Sequence, residues 1–566
     1  MTPSINRRSH LWRISLLLAA VVVTASGCSM YDGCRNWVGN GFKVGPEYCK
    51  PAAPVAEAWI DAADRRVKSD PAQTAEWWLT FNDPVLNELV LSASSQNLTL
   101  REAGMRVLQA RADRGAAVGD LFPQSQTISG DYSRSLISTQ TANLFPGISR
   151  SFDNWAASSE LAWEVDFWGR FRRAVEAADA SLDASVENYD DVLVCLIADV
   201  AAAYTNIRTL QQRLDFAQQN VEIQQGSLDI VQQRFDNGRS SGLDVEQAKL
   251  SLTATQATIP ALRAALRQEN NLLCTLLGIP PRNLLPELGE GKIPTAPAEV
   301  ALGIPCELLR RRPDVRRAER EVAAQSALIG VAVADLYPAF SLRGSIGYEA
   351  QNLSRLFVPT ASTGLISPGF SWNVLNYGRL RNNVRSQEAA FQAAALTYQS
   401  AVLTANQEVE DGITGFFNAQ DQTLILADSV SAASKALDLT LDQYREGKVD
   451  FNRVFTIQDT KVSQQDEYAA SQGDVALNLI SLYKALGGGW EVRLGAGRDY
   501  VIVATPADEG ETPEQADPPE ALAPPAPTTP GVGRLEGVGE PGPSRELSGV
   551  DFPQLVQSLS PAENVK

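Results

Sequence analysis

Trp163-Glu-Val-Asp-Phe-Trp-Gly-Arg-Phe-Arg172 returns 209 residues later as Trp372-Asn-Val-Leu-Asn-Tyr-Gly-Arg-Leu-Arg381. Without a gap, the same offset carries Phe235-Asp-Asn-Gly-Arg239 onto Tyr444-Arg-Glu-Gly-Lys448, and Leu277-Gly278 onto Leu486-Gly487. Self-similarity at fixed spacing over residues 163–278 and 372–487 means one structural unit used twice. The unit reads as a strand hairpin that feeds a very long helix, followed by a second helix running back.

Upstream of each quoted stretch the hydrophobic period is two. Residues 124–136 are rich in Ser, Thr and Gln, with Ile128 and Tyr132 on one parity. In 153–165, Trp155, Ala157, Ser159, Leu161, Trp163 and Val165 share a face. Ser138–Ser151 between them reads as a loop. The second copy repeats this with Phe340, Leu342, Ile346 and Tyr348, then Phe370, Trp372 and Val374, joined by a loop around Asn352–Gly364. The predicted β-hairpins are therefore 124–165 and 339–375. The alternation is weak, as expected when one face meets lipid and the other a wet lumen.

Downstream of Gly169 and Gly378 the chain is free of proline to about Phe235 and Arg445. A helix of ~65 residues spans on the order of 100 Å, and such a rod survives only by packing along its flank. Ala177, Ala178, Ala180 and Ala184, and Ala389, Ala390, Ala393, Ala394 and Ala395, permit close contact. Asn237-Gly238 and Glu446-Gly447 are turn signals, after which the chain returns through 243–277 and 451–486. The helical hairpins are 168–277 and 378–486, and Pro260 predicts a kink in the first return helix.

The remaining segments frame these units. Residues 28–80 form an N-terminal strap, irregular over Gly39–Pro54, with Trp77 and Trp78 read as buried anchors and Phe81 following. A short helix starts near Asp83-Pro84. Another follows Asn97, marked by Leu98, Leu100, Met105, Val107 and Leu108, and stops before Pro123. The first repeat covers 81–278, a proline-rich linker 279–306, and the second repeat 307–490. Beyond that, 491–566 is a tail of Pro, Gly, Ala and acid, expected to be disordered from about 505 onward. The fold class is mainly α with a small β part, built on an internal structural repeat.

The formal charge is −18. Residues 1–27 read as an export signal: Arg7-Arg8, an apolar run Leu16–Val23, then Ala25-Ser26-Gly27 before Cys28. Loss of this leader with its three arginines leaves the mature chain at about −21. Small residues before a cysteine resemble the bacterial lipobox, which implies cleavage there and lipidation of Cys28; ordinary signal cleavage nearby, leaving Cys28 free, is the alternative. No basic cluster marks a nucleic-acid footprint. The only histidine, His10, lies in the leader, there is no paired CxxC, and neither a metal nor a cofactor is expected. Cys34 and Cys49 leave a disulfide open in an oxidising compartment, and Cys195 reads as a small buried hydrophobe. No phosphate loop or clustered acid pair supports an enzyme. Arg310-Arg-Arg-Pro-Asp-Val-Arg-Arg317 reads as a charged helix start, and Gly487-Gly-Gly489 as a helix terminus.

After the leader no run offers the ~20 uninterrupted apolar residues of a membrane-spanning helix, so any crossing must use a closed β-barrel. Four strands cannot close one, because the smallest need about eight. The chain must pool strands with copies of itself, a cyclic trimer being favoured, to give about twelve strands around one pore.

The chain resembles the outer-membrane efflux lipoproteins, the TolC-like factors of tripartite pumps. The resemblance is carried by Val44-Gly-Pro-Glu-Tyr48 with Pro51 and Trp59, Trp77-Trp-Leu-Thr-Phe-Asn-Asp-Pro-Val-Leu86, Leu308–Glu319, Leu336-Tyr-Pro338 and Leu482–Trp490, together spanning about 40–490. It implies a homotrimer with a β-barrel in outer-membrane lipid and an α-helical periplasmic tunnel. It further implies a periplasmic adaptor and an inner-membrane transporter of the RND type that supplies the energy. The family's gate lies at the periplasmic helix tips, here Phe235–Val245 and Tyr444–Asp459. Tyr444 matches the family pattern. The two positions that carry ring carboxylates in many members are Arg453 and Thr456 here, the nearest acids being Asp450, Asp459 and Asp244. A ring of Arg453 favours anions; pairing of Arg453 with Asp450 or Glu446 is the alternative. Type I protein secretion and a non-conducting envelope spacer are the competing functions.

Overall fold

The computed structural model describes residues 37–68, 74–138, 140, 149–302, 305 and 311–495. The long elements run in the order α1 (Pro84–Gln96), α2 (Leu98–Gly119), β1 (Ser125–Leu136), β2 (Ser151–Val165), α3 (Arg170–Asp236) and α4 (Gly242–Leu276). They continue with α5 (Pro313–Ala334), β3 (Ala339–Ala350), β4 (Ser362–Ser371), α6 (Arg379–Arg445) and α7 (Phe451–Ala485). Both long helices have 67 residues and both return helices 35. Each member of a pair starts and stops 209 residues after its counterpart, so the repeat holds to the residue. The N-terminal strap adds a two-residue strand, Val67–Lys68, parallel to Val300–Ala301 of the linker. Cys28, Cys34, Arg310 and the tail beyond 495 lie outside the described residues, and with them the disulfide, the lipid anchor and the order of the tail.

The four longer strands form one antiparallel sheet in chain order, β1-β2-β3-β4. Trp163 stands opposite Leu342 and Val165 opposite Phe340 across the central seam. In the hairpins, Ser125 pairs with Ala162 and Ala339 with Ser371. One face collects Ile128, Tyr132, Trp155, Leu342, Ile346, Ile366 and Phe370. The opposite face is polar, with Thr127, Ser129, Asp131, Glu160, Arg343 and Ser345 among its residues.

Strands of 10 to 15 residues reach the ~9–11 that a tilted strand needs to cross a bilayer. Ile128, Ile346 and Ile366 are 91%, 72% and 80% exposed, which suits lipid contact and would be costly in water. One window of α3 is also apolar enough to cross a membrane, with a mean hydropathy of 1.4, but 67% of it is buried. That stretch serves the largest core, where Leu193, Ile197, Val200, Tyr204 and Ile207 meet Trp77, Trp78, Leu86, Leu273, Phe416, Leu479 and Tyr483.

Several expectations need adjusting. Leu100 and Val107 of α2 are buried, but Leu98, Met105 and Leu108 are 65%, 62% and 50% exposed. Among the described residues they remain on the exposed side of α2. Cys195 is only half-buried, whereas Cys274 is buried. β4 begins at Ser362, after two short 3-10 turns at Leu353–Arg355 and Pro359–Ala361, and stops at Ser371, short of Trp372 and Val374. Arg312 precedes α5 in a buried position, binding Asp314, Glu408 and the carbonyl of Ala485. Burial opposes ionisation of Asp314, but its bonds to Arg312 prevail and hold the carboxyl below its usual range.

The two faces make opposite predictions. Ile366→Arg should destabilise the protein folded in lipid vesicles by about 2–4 kcal/mol near the bilayer midplane, and Ser367→Arg by less than about 1 kcal/mol. Urea unfolding from vesicles measures both.

Candidate functional site at the helix tips

Both long helices end in the same turn. Gly238 and Gly447 adopt φ of 68° and 77°, a region that residues with a Cβ rarely enter. Arg239 N donates to Arg234 O and Gly238 N to Phe235 O, and the second copy matches with Lys448 to Gln443 and Gly447 to Tyr444. These paired bonds close the helix ends in a Schellman motif.

The return helices start differently. Ser241 caps α4 in a reciprocal box with Asp244: Asp244 N donates to Ser241 Oγ, and Ser241 N to the Asp244 carboxylate. Burial opposes ionisation of Asp244, but hydrogen bonds from Ser240 and Ser241 outweigh it and hold the carboxyl below its ordinary value. In the second copy Asp450 caps α7 by accepting from Arg453 N at 3.2 Å. Arg453 occupies the place of Asp244 and cannot reciprocate. It puts a cation at the positive end of the helix dipole, where an anion is favoured.

The two hairpins meet at Tyr444, which is 4% exposed. The Arg234 guanidinium lies 4.5 Å from the centre of its ring and donates to its carbonyl. Its hydroxyl is 3.4 Å from Ser240 Oγ, and Ser240 donates to Asp244 at 2.6 Å. Phe451 packs edge-on against the same ring at 5.6 Å. Val231, Val245, Ala248, Leu437 and Val454 complete this small core.

The expected tip residues therefore divide. Tyr444 and Asp244 are joined through Ser240. Asp450 is occupied as a cap, and Thr456 Oγ1 donates to Asn452 O. Phe235, the counterpart of Tyr444, is 44% exposed and outside the cluster. Asp459 is exposed farther along α7. Arg453 is exposed, and its guanidinium has no ion-pair partner among the described residues, since Glu446 pairs with Lys448. Pairing of Arg453 with Asp450 or Glu446 is thus not observed. Arg234 and Ser240 were missed from sequence. Their signal is a break in the repeat: the counterpart of Arg234 is Gln443.

The comparisons with known proteins agree with this architecture. The family described as "Outer membrane efflux protein" matches residues 89–279 and 304–488. Nodulation protein T of Rhizobium leguminosarum bv. viciae is 32% identical over 467 residues, 81% of this chain and 94% of the relative. The toluene efflux pump outer membrane protein TtgC of Pseudomonas putida is 29% identical over 505 residues, 87% of this chain and 99% of its own. The solved outer-membrane channel OprN superposes with a TM-score of 0.74 at 33% identity, covering 79% of this chain and 99% of OprN. The chain belongs to the outer membrane efflux protein family.

Proposed function

We propose that the helix tips gate the duct formed by this chain, that Arg453 sets which ions pass, and that Cys28 carries a lipid anchor. The frame is given by the family: the chain is the outer-membrane exit duct of a tripartite efflux system. It is a passive channel, trimeric, and works with a periplasmic adaptor and an inner-membrane transporter. It lies in the outer membrane and extends across the periplasm. A relative named for toluene efflux supports small organic molecules as cargo; the inner-membrane partner that this reading calls for is of the RND type.

The observation that carries the gate is the Arg234–Tyr444–Ser240 contact, which ties one helical hairpin to the other at their common end. Opening the tip by parting the hairpins must break it. A cation–π contact is worth about 0.5–2 kcal/mol and a charged hydrogen bond about 1.5–3 kcal/mol. Their combined loss, about 2–5 kcal/mol, is therefore large enough to shift a closed–open equilibrium by about thirtyfold or more, at about 1.4 kcal/mol per tenfold. The Arg453 guanidinium has no ion-pair partner among the described residues and sits at a helix start that disfavours a cation, which supports a role toward permeating ions.

Three outcomes follow. Arg234→Ala should raise the conductance of channels in planar bilayers; unchanged conductance removes the latch. Arg453→Asp should shift permeability toward cations, and unchanged ion selectivity would exclude Arg453 from the constriction. Cys28→Ser should abolish incorporation of radiolabelled palmitate, and persistent labelling would place the lipid elsewhere.

A further inference from the structure

The two copies of the repeat differ in charge where the sheet hands over to the long helices. Residues 163–178 hold three arginines, Arg170, Arg172 and Arg173, and three acids, Glu164, Asp166 and Glu176. Their counterparts 372–387 hold Arg379, Arg381 and Arg385 and no acid. Asn373, Leu375 and Arg385 stand in the places of the three carboxylates. The whole chain is at −18, so this positive stretch runs against its composition.

In the first copy each guanidinium has its acceptors. Arg170 reaches Glu164 at 3.3 Å and Asp335 at 3.4 Å. Arg172 binds Asp166 at 2.9 Å and donates to the strap carbonyls of Gly41 and Phe42 at 2.7 and 2.9 Å. Arg173 and Lys43 of the strap share Glu176. Positions 172 and 176 therefore hold the strap. Their counterparts Arg381 and Arg385 are exposed, without an ion-pair partner among the described residues. Arg385 donates only to Asn382 Oδ1 there, at 3.4 Å. Like charges four residues apart on a helix repel, and an anion between them offsets the repulsion.

The level of the pair points to that anion. β4 ends at Ser371, and beyond it Trp372 is 55% and Tyr377 98% exposed. Exposed aromatic rings at the end of membrane strands mark the headgroup level. Arg381 and Arg385 follow ~3 and ~9 Å along the axis from the first residue of α6. The headgroup layer is about 5–8 Å deep on each side of the hydrocarbon, and an arginine stem bridges the remainder while its head stays polar. Phosphates lie in that layer, and the planar guanidinium fork matches two phosphate oxygens.

We propose that Arg381 and Arg385 seat the phosphate of an anionic phospholipid in the periplasmic leaflet of the outer membrane, beside Trp372 and Tyr377. The lipid phosphate takes the part that Glu176 and the strap carbonyls play in the first copy. A zwitterionic lipid binds less well, because its own cation sits next to the phosphate and meets both arginines.

Native mass spectrometry of the full-length trimer in detergent, titrated with phosphatidylglycerol or with phosphatidylcholine, tests this. Phosphatidylglycerol should bind severalfold more tightly. Arg381→Gln with Arg385→Gln should abolish the preference. Arg385→Glu should abolish it too, while installing a residue that the first copy already carries at 176. Arg101→Gln removes an exposed arginine at the end of α2 far from the sheet and should keep the preference. Equal binding of both lipids by the unaltered trimer, or a preference that survives the substitutions at 381 and 385, overturns the proposal. So does an equal loss in Arg101→Gln. Displacement of phosphatidylglycerol by millimolar inorganic phosphate would also overturn it, since the pair would then be a site for free anions.

Discussion

Backbone amides and carbonyls inside a bilayer must find partners within protein, because lipid supplies none. The four-stranded sheet satisfies its interior strands and leaves β1 and β4 open at its edges. Everything distinctive in the chain relates to that incompleteness. The lipid-facing parity is apolar and the opposite parity polar, so the sheet is a stave of a barrel rather than a closed body. The repeat supplies each chain with two equivalent hairpins, and copies of the chain supply the rest.

The same hairpins continue into rods of 67 residues, ~100 Å long at the rise of an α-helix. Their midsections carry the main core, with Trp77 stacked on Tyr483 at 5.4 Å and Tyr204 bound to Asp83 at 2.7 Å. Their far ends have a much smaller core built around Tyr444. Fewer buried contacts there mean a lower cost of local opening. A large core in the middle and a smaller one at the tip would suit the gate proposed at the helix tips.

Much of this was legible because the repeat is strict. Helix ends and turns followed from aligning 163–278 with 372–487, and strand parity from the alternation upstream of each copy. What escaped depended on partners that sequence spacing does not reveal. Leu98, Met105 and Leu108 have helical periodicity, yet they are exposed among the described residues. The strand offset between β1 and β3 is one residue less than the helix offset between α2 and α5, and Gln124 absorbs the difference by bonding Asp120 O and both backbone groups of Glu164. Arg234 was overlooked because its contact joins residues 210 apart in sequence. Positions where the copies disagree in charge, such as Asp244 against Arg453, were the more informative ones.

Single-particle imaging of the purified protein in lipid nanodiscs addresses the central claim most directly. The account predicts a hollow, threefold-symmetric cylinder whose wall contains strands from every subunit without an open edge. A solitary subunit with its sheet edges facing lipid, or an assembly with no continuous lumen, would contradict it.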